Sequence, residues 1–308
     1  MSTGQRWSRV GRLAAGVVLL VLLLWRLGPA ELGRALGTMP LAVLLPSAVL
    51  ATLLPLCHAW RWRRLLEIAG QRVPLLEAIR VTVAASAANY LVPAFGWAPA
   101  KVVATRQWLG IGVRRALPTV VIEHALDLAM LASCALVGFW QIRPTAVVPI
   151  TLLPFRARSM LGMLVLAGVA GAGLAAVLSG RVRKFGFEVL TVGYGVLRET
   201  WRDPVVWLAT IGRWSAELLV LALLVAAVQL PLDWGALFVL LGGPGIVGAL
   251  SPIPGGLGIR EATGVLLAHW LGWDPVGVGA VLAWQRVATL TGLGAVGVMA
   301  SIVRRFRR

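Results

Sequence analysis

The sequence predicts an all-α polytopic membrane protein: an inverted-repeat helical bundle with two re-entrant hairpins of broken helix. Three observations predict it. The 308 residues are 59% hydrophobic and only 13% charged, against roughly 45–50% and 25% in soluble domains, and the mean hydropathy is +0.85. Apolar runs of about 20 residues recur, as a hydrocarbon core about 30 Å thick requires of helices, while the short alternating segments of a membrane β-barrel are missing. Finally, the order helix, broken hairpin, helix occurs twice, with the hairpin entering once from each side.

Residues 1–40 form an N-terminal anchor and an outer loop. The opening "MSTGQRWSRVGRLAAGVVLLVLLLWRLGPA" has basic flanks round a short apolar core, which fits a cleaved signal peptide or a retained anchor. The basic face of Arg6, Arg9 and Arg12 and the topology signals of later segments favour the anchor, a helix over 13–27 with its N-terminus inside. Residues 41–140 form the first repeat half. A helix over 41–60 returns to a basic loop holding Arg61, Arg63, Arg64 and Arg72. The stretch "LLEAIRVTVAASAANYLVPAFGWAPAKVVATRQWLGIGVRR" is apolar but interrupted by Asn89, Pro93, Gly96 and Pro99, and it ends on Arg106, Arg114 and Arg115. Both its ends look cytoplasmic, which predicts two half-helices that enter and leave by one face. A helix over 116–140 completes the half.

Residues 141–203 join the halves. Pro144, Pro149 and Pro154 punctuate a segment near the outer face, and a helix over 160–178 leads to "GRVRKFGFEVLTVGYGVLRETWRD". That mixture of basic and apolar residues reads as an interfacial helix on the cytoplasmic surface or, more plainly, as a connector. Residues 204–308 form the second half. It has a helix over 205–230, a broken apolar region over 234–274 with the outside at both ends, and a helix over 275–303 that delivers Arg304, Arg305, Arg307 and Arg308 inside. The expectation is one transmembrane domain over 1–308, integral to the plasma (inner) membrane, with both termini cytoplasmic. The motif "WLG" at Trp108 recurs at Trp270, an offset of 270 − 108 = 162 that also pairs Gly96 with Gly258 and Glu123 with Gln285. Inverted repeats broken at corresponding places point to a transporter's site near the midplane.

A net charge of +17 would point to nucleic acid in a soluble chain. Here the basic residues gather between apolar runs, which is the signal of cytoplasmic loops, and no nucleic-acid partner is expected. Cys57 and Cys134 both lie inside apolar segments, where cysteine is a small hydrophobe. Neither a disulfide nor a metal site is implied, and no cofactor is expected.

The candidate site begins at "SPIPGGLGIREA". Irregular backbone at membrane depth is tolerated only inside protein or beside a wet cavity. Pro252, Pro254, Gly255, Gly256 and Gly258 therefore mark a hairpin tip within the bundle, with Arg260 and Glu261 opening the next half-helix. Glycines there allow positive φ, and free amides at a half-helix N-terminus attract an anion. A loop that merely packs is the plainer alternative. In "TVVIEHALDLAML", Glu123 and Asp127 share one helix face with His124 beside them, and in "IGRWSAELLV" Arg213 and Glu217 do the same. Arg286 lies within "AVLAWQRVATL". Each ionisable group costs about 2.5–3.5 kcal/mol or more at the bilayer centre, so these groups should face one another or water. Three arginines against four carboxylates fit a structural ion-pair network, or an arginine-lined phosphate pocket whose carboxylates position the arginines or relay protons. His58 and His269 read as interfacial. "GLGIRE" and "GGPGIVG" follow no strand and make a poor case for nucleotide binding.

Four of these stretches, "NYLVPAFG", "IEHALDLAML", "SPIPGGLGIREA" and "AVLAWQRVATLTGLGA", resemble the flippase-like family of the lysylphosphatidylglycerol synthase transmembrane region. That family includes stand-alone membrane proteins of glycolipid and hopanoid pathways. The resemblance implies that Glu123, Asp127, Arg260, Glu261 and Arg286 fall on its characteristic polar positions. It also exposes a departure: after the first-half proline the family commonly shows an arginine and a Gly-Glu pair, where this chain has Phe95, Trp97 and Ala98. The first hairpin's polar function is therefore expected to be lost or specialised. Aminoacyl transfer belongs to a soluble C-terminal domain in the two-part synthases, and this chain ends at "SIVRRFRR", so a stand-alone member without enzymatic activity is expected.

The functional expectation is a translocase that moves a lipid with an anionic headgroup between leaflets. Candidate lipids are a phospholipid, a polyprenyl-phosphate glycolipid or a hopanoid type. Arg213, Arg260, Arg286 and the glycines of the tip would bind substrate, and Glu123, Asp127, Glu217 and Glu261 would pair charges or carry coupling protons. The alternative is a non-transporting subunit that recruits enzymes of envelope-lipid or glycan synthesis, through a basic surface at Arg181, Arg183 and Lys184. Homo-oligomerisation stays open, since Gly168, Gly171 and Gly173 can pack helices within one chain or between two.

Overall fold

The computed structural model of the protein describes residues 29–37, 39–91, 97–142, 180–251 and 253–306. The helices expected over 13–27 and 160–178, the prolines of 144–154, and Pro93, Phe95, Gly96 and Pro252 lie outside the described residues. Those described are α-helical apart from short turns, with no strand among them.

A short helix α1 (Pro29–Gly37) precedes α2 (Leu41–Ile68). A first pair of shorter helices follows, α3 (Leu75–Leu91) and α4 (Trp97–Leu109), and then α5 (Val113–Ile142). Helix α6 (Gly180–Arg202) leads to α7 (Pro204–Ala227). The second shorter pair is α8 (Trp234–Leu250) and α9 (Ile259–Leu271), and α10 (Pro275–Phe306) ends the chain. Among the described residues α2, α5, α7 and α10 are long and apolar enough to cross a membrane. The helices of each shorter pair have 17 and 13 residues, about 25 and 20 Å at 1.5 Å per residue, less than the hydrocarbon thickness.

Two boundaries differ from expectation. Helix α2 runs two turns past Trp60, because Leu65 and Leu66 continue its buried face. Arg61, Arg63 and Arg64 are thus helical rather than in a loop. Pro99 sits in the first turn of α4 and breaks nothing, as that position has no intrahelical amide bond to lose.

The main core lies where α7, α8 and α10 meet, around Leu221, Leu224, Leu237, Leu241 and Val281. Helix α2 packs along α7 and α10. The contact with α10 is so close that a Cβ on Gly292 would stand 2.5 Å from the Ala51 carbonyl carbon. The hairpin helices lie across the halves: α8 packs on α5, and α3 on α10. At the other end Asp203 caps α7 by accepting from the Val205 and Val206 amides. It also takes the Arg64 Nε–H at 2.7 Å, tying the end of α2 to the start of α7. Helix α6 buries Val196 and Thr200 against the bundle and leaves Leu190, Tyr194, Leu197 and Trp201 exposed.

Candidate functional site

Two ion-pair clusters sit inside the bundle, and one cavity touches both. The first is built on α5. Glu123 and Asp127 share a face, as their spacing predicts, and that face meets α2. Arg61 is 0% exposed and donates to both carboxylate oxygens of Asp127, at 2.7 and 2.9 Å. Arg213 of α7 donates to the same carboxylate at 2.6 Å and the Trp214 indole at 3.1 Å. Glu123, also 0% exposed, accepts from Lys101 of α4 at 2.6 Å, and His58 Nε2 lies 2.8 Å from its other oxygen. Lys101 is itself 1% exposed and stands 4.6 Å from the centre of the Trp62 ring. These charges persist in an apolar bundle because each has an opposite charge or a directed donor, without which a buried ion is strongly destabilising.

The second cluster is built on the break between α8 and α9. The chain turns through Pro254–Gly256, with φ of 57° at Gly255, 61° at Gly256 and 77° at Gly258. Left-handed backbone of this kind favours glycine. Gly255 has a second reason: its Cβ would meet the Tyr90 ring at 2.9 Å. Glu261 then binds the turn to the helix that follows. One of its oxygens accepts the Gly258 N–H at 2.8 Å, and the other pairs with Arg286 of α10 at 2.6 Å. Arg286 also donates to the Gly255 carbonyl at 3.2 Å. Arg260 donates to Glu217 of α7 at 2.9 Å and to Gln285 of α10 at 3.3 Å.

At the α9 N-terminus one amide already has a carboxylate partner within the chain. The Gly258 amide is taken by Glu261, whose negative charge near the helix start is where the macrodipole favours it. His58, read as interfacial, is half-buried against Glu123; His269, at the end of α9, is exposed. Arg213 and Glu217 lie one turn apart, but Arg213 reaches Asp127 and Glu217 reaches Arg260. Arg286 braces the turn from behind, and Arg260 lies in the cavity wall.

The cavity holds about 230 Å³. Lys101, Arg213 and Arg260 bring three positive charges to its wall, and Asp127 and Glu217 two negative ones. His58, His124, Asn89, Ser251 and the backbone of Gly255 and Gly256 add further polar groups to the lining. Thr82 also lines it, with a buried hydroxyl that has no hydrogen-bond partner among the described residues.

Arg61, Lys101 and His58 are functional candidates that the sequence reading missed. Phe95 lies outside the described residues, but the first hairpin retains a cation: Lys101 stands one turn beyond Ala98 on α4 and reaches Glu123. Gln285, which lies 162 residues after Glu123, is reached by Arg260 of α9. In both cases a cation on the second helix of a shorter pair contacts the long helix that follows it.

Long apolar helices around a paired-charge cavity define an integral membrane protein with a polar site enclosed in the bundle. The chain belongs to the family described as the lysylphosphatidylglycerol synthase TM region, whose model matches residues 9–297. That is a membrane-domain family associated with lipid-related function. No curated protein matches the chain.

Proposed function

We propose that the protein is a lipid translocase that binds an anionic headgroup in the cavity and moves it between leaflets. The observation that carries this reading is the cavity's wall, three cations against two carboxylates within a bundle of membrane-spanning length. A surplus positive charge in a low-dielectric enclosure favours one negative group from a ligand, and arginine's planar fork suits phosphate oxygens. Arg260 and Arg213 contact the headgroup, and Asp127 and Glu217 hold those two arginines in place. Arg286 and Glu261 set the shape of the turn.

Movement comes from rocking of two inverted halves around the shared cavity. The crossed packing of α8 on α5 and α3 on α10 supports that symmetry. In this reading the two shorter pairs are re-entrant hairpins, and Arg304 and Arg305 lie on the cytoplasmic side. The protein performs no covalent chemistry.

The test is leaflet exchange of fluorescent lipids in vesicles holding the full chain, with anionic, zwitterionic and glycosylated headgroups compared. Exchange that prefers an anionic headgroup is expected. Rates equal to protein-free vesicles for every lipid would overturn the reading and favour the recruiting subunit.

A further inference from the structure

Beside the cavity runs a groove of about 790 Å³ between α3 and α10, lined by Val83, Ala87, Leu290, Gly294 and Val298 among others. Tyr90 and Leu293 line both the groove and the cavity, so the two spaces share a wall. The far end of the groove is marked by Arg305. From Leu290 to Arg305 is 15 residues of helix, about 22 Å at 1.5 Å per residue. That exceeds the half-thickness of a hydrocarbon core about 30 Å across. An apolar groove of this length, separated from the polar cavity only by Tyr90 and Leu293 and bearing a cation at its far end, matches an amphipathic molecule and not a free anion.

The counterpart seam is closed. By the 162-residue offset, Gly245 and Leu131 correspond to Val83 and Leu293 (245 − 162 = 83; 131 + 162 = 293). Between α5 and α8 the helices meet on glycine: a Cβ on Gly242 would lie 2.5 Å from the Leu131 carbonyl oxygen, and one on Gly245 would lie 2.6 Å from the Leu131 side chain. Between α3 and α10 a Cβ on Gly294 would meet nothing within 4 Å among the described residues, whereas one on Gly297 would lie 3.1 Å from the Val83 side chain. The two seams differ in degree: the α5–α8 seam is close-packed at Gly242 and Gly245, while the α3–α10 seam touches at Gly297 and Val83 and leaves a groove beside Gly294. The unpartnered Thr82 hydroxyl, on α3 beside Val83, gives the cavity a polar group with nothing yet to bind.

We infer that the α3–α10 seam is the lateral gateway by which a lipid reaches the cavity, its headgroup at Arg213, Arg260 and Thr82 and one acyl chain lying along Val83, Ala87 and Gly294. This inference rests on the translocase reading and deepens it: the substrate is a membrane lipid bound by head and tail together, taken from the leaflet on the Arg305 side. Closing this seam while the α5–α8 seam opens would present the same headgroup to the opposite leaflet.

The experiment uses the full chain in vesicles containing phosphatidylglycerol or phosphatidylcholine with a photoactivatable group in one acyl chain, followed by peptide mapping. Labelling by phosphatidylglycerol should concentrate on the segments holding Val83–Tyr90 and Leu290–Val298, several-fold above phosphatidylcholine. Gly294→Trp should abolish it, because the indole fills the groove from a position with free space, while Gly294→Ala should leave it intact. Labelling equal for both lipids, or no stronger than at the exposed Leu208 and Ile211 of α7, or undiminished in Gly294→Trp, would overturn the gateway. Leaflet exchange in the same vesicles separates the two claims. Exchange unchanged by Gly294→Trp contradicts the gateway and spares the translocase; headgroup-selective labelling without exchange upholds the seam as a lipid site and contradicts transport.

Discussion

Asp127 accepts four hydrogen bonds, two from Arg61 and one each from Arg213 and Trp214. Removing it leaves a fully buried guanidinium with only Glu123 at 3.7 Å and the Thr210 hydroxyl at 3.4 Å. Asp127→Ala should therefore lower stability by about 3–5 kcal/mol, read from denaturant unfolding in micelles, and Arg61→Met in the same chain should recover much of that loss. A single variant as stable as wild type would show that Arg61 finds another partner. At the turn, Gly255→Ala forces left-handed backbone on a residue with a Cβ, at about 1–2 kcal/mol, and drives that carbon toward Tyr90. Gly294→Ala, in open space, should be nearly neutral in the same assay.

The residues legible from sequence were those whose charge interrupts an apolar run: Glu123, Asp127, Arg213, Glu217, Arg260 and Arg286. Arg61 was hidden because "RWRR" reads as a basic loop. The signal that could have exposed it is the pair Leu65 and Leu66, which continues the helix, together with the i, i+3 spacing of His58 and Arg61 against the i, i+4 spacing of Glu123 and Asp127. Lys101 stood in a segment where proline and glycine drew the reading toward a break. Pairing between distant helices, such as Arg64 with Asp203, carries no local signature at all.

At the scale of the element, α6 presents three faces. Val192, Val196 and Thr200 turn to the bundle, and Arg198, Glu199 and Arg202 are exposed charges. Leu190, Tyr194, Leu197 and Trp201 form an exposed apolar stripe at i, i+4, i+7 and i+11, the pattern of a helix lying in a membrane interface. A nitroxide placed by Tyr194→Cys should collide more with oxygen than with an aqueous nickel chelate, and one placed by Glu199→Cys should show the reverse. Equal access at both positions would make α6 a solvated connector. The sequence held both readings of this segment, since composition alone does not say which face packs. The shorter helix pairs were legible as interruptions of apolar runs, whereas their matched lengths depended on the turns, where Pro99 continues a helix and Gly255 does not.

At the scale of the molecule, the paired charges converge on one cavity. The cavity touches α2, α3, α4, α5, α7, α8, α9, α10 and the α8–α9 turn, so every helix that carries a paired charge into it would shift if the halves rocked. The ion pairs tie those helices together: Arg260 joins α9 to α7, Lys101 joins α4 to α5, and Arg61 joins α2 to α5. Lys101→Gln removes the first half's hairpin cation while keeping a hydrogen-bond donor. It should slow leaflet exchange with little change in the amount of folded protein, and an unaltered rate would confine the site to the second half. The most direct measurement compares leaflet exchange of an anionic fluorescent lipid by wild type, Arg260→Ala and Arg286→Ala at matched folded protein. A translocase with its headgroup site in the cavity predicts protein-dependent exchange that Arg260→Ala abolishes and Arg286→Ala slows; exchange that both variants leave at the wild-type rate would contradict it.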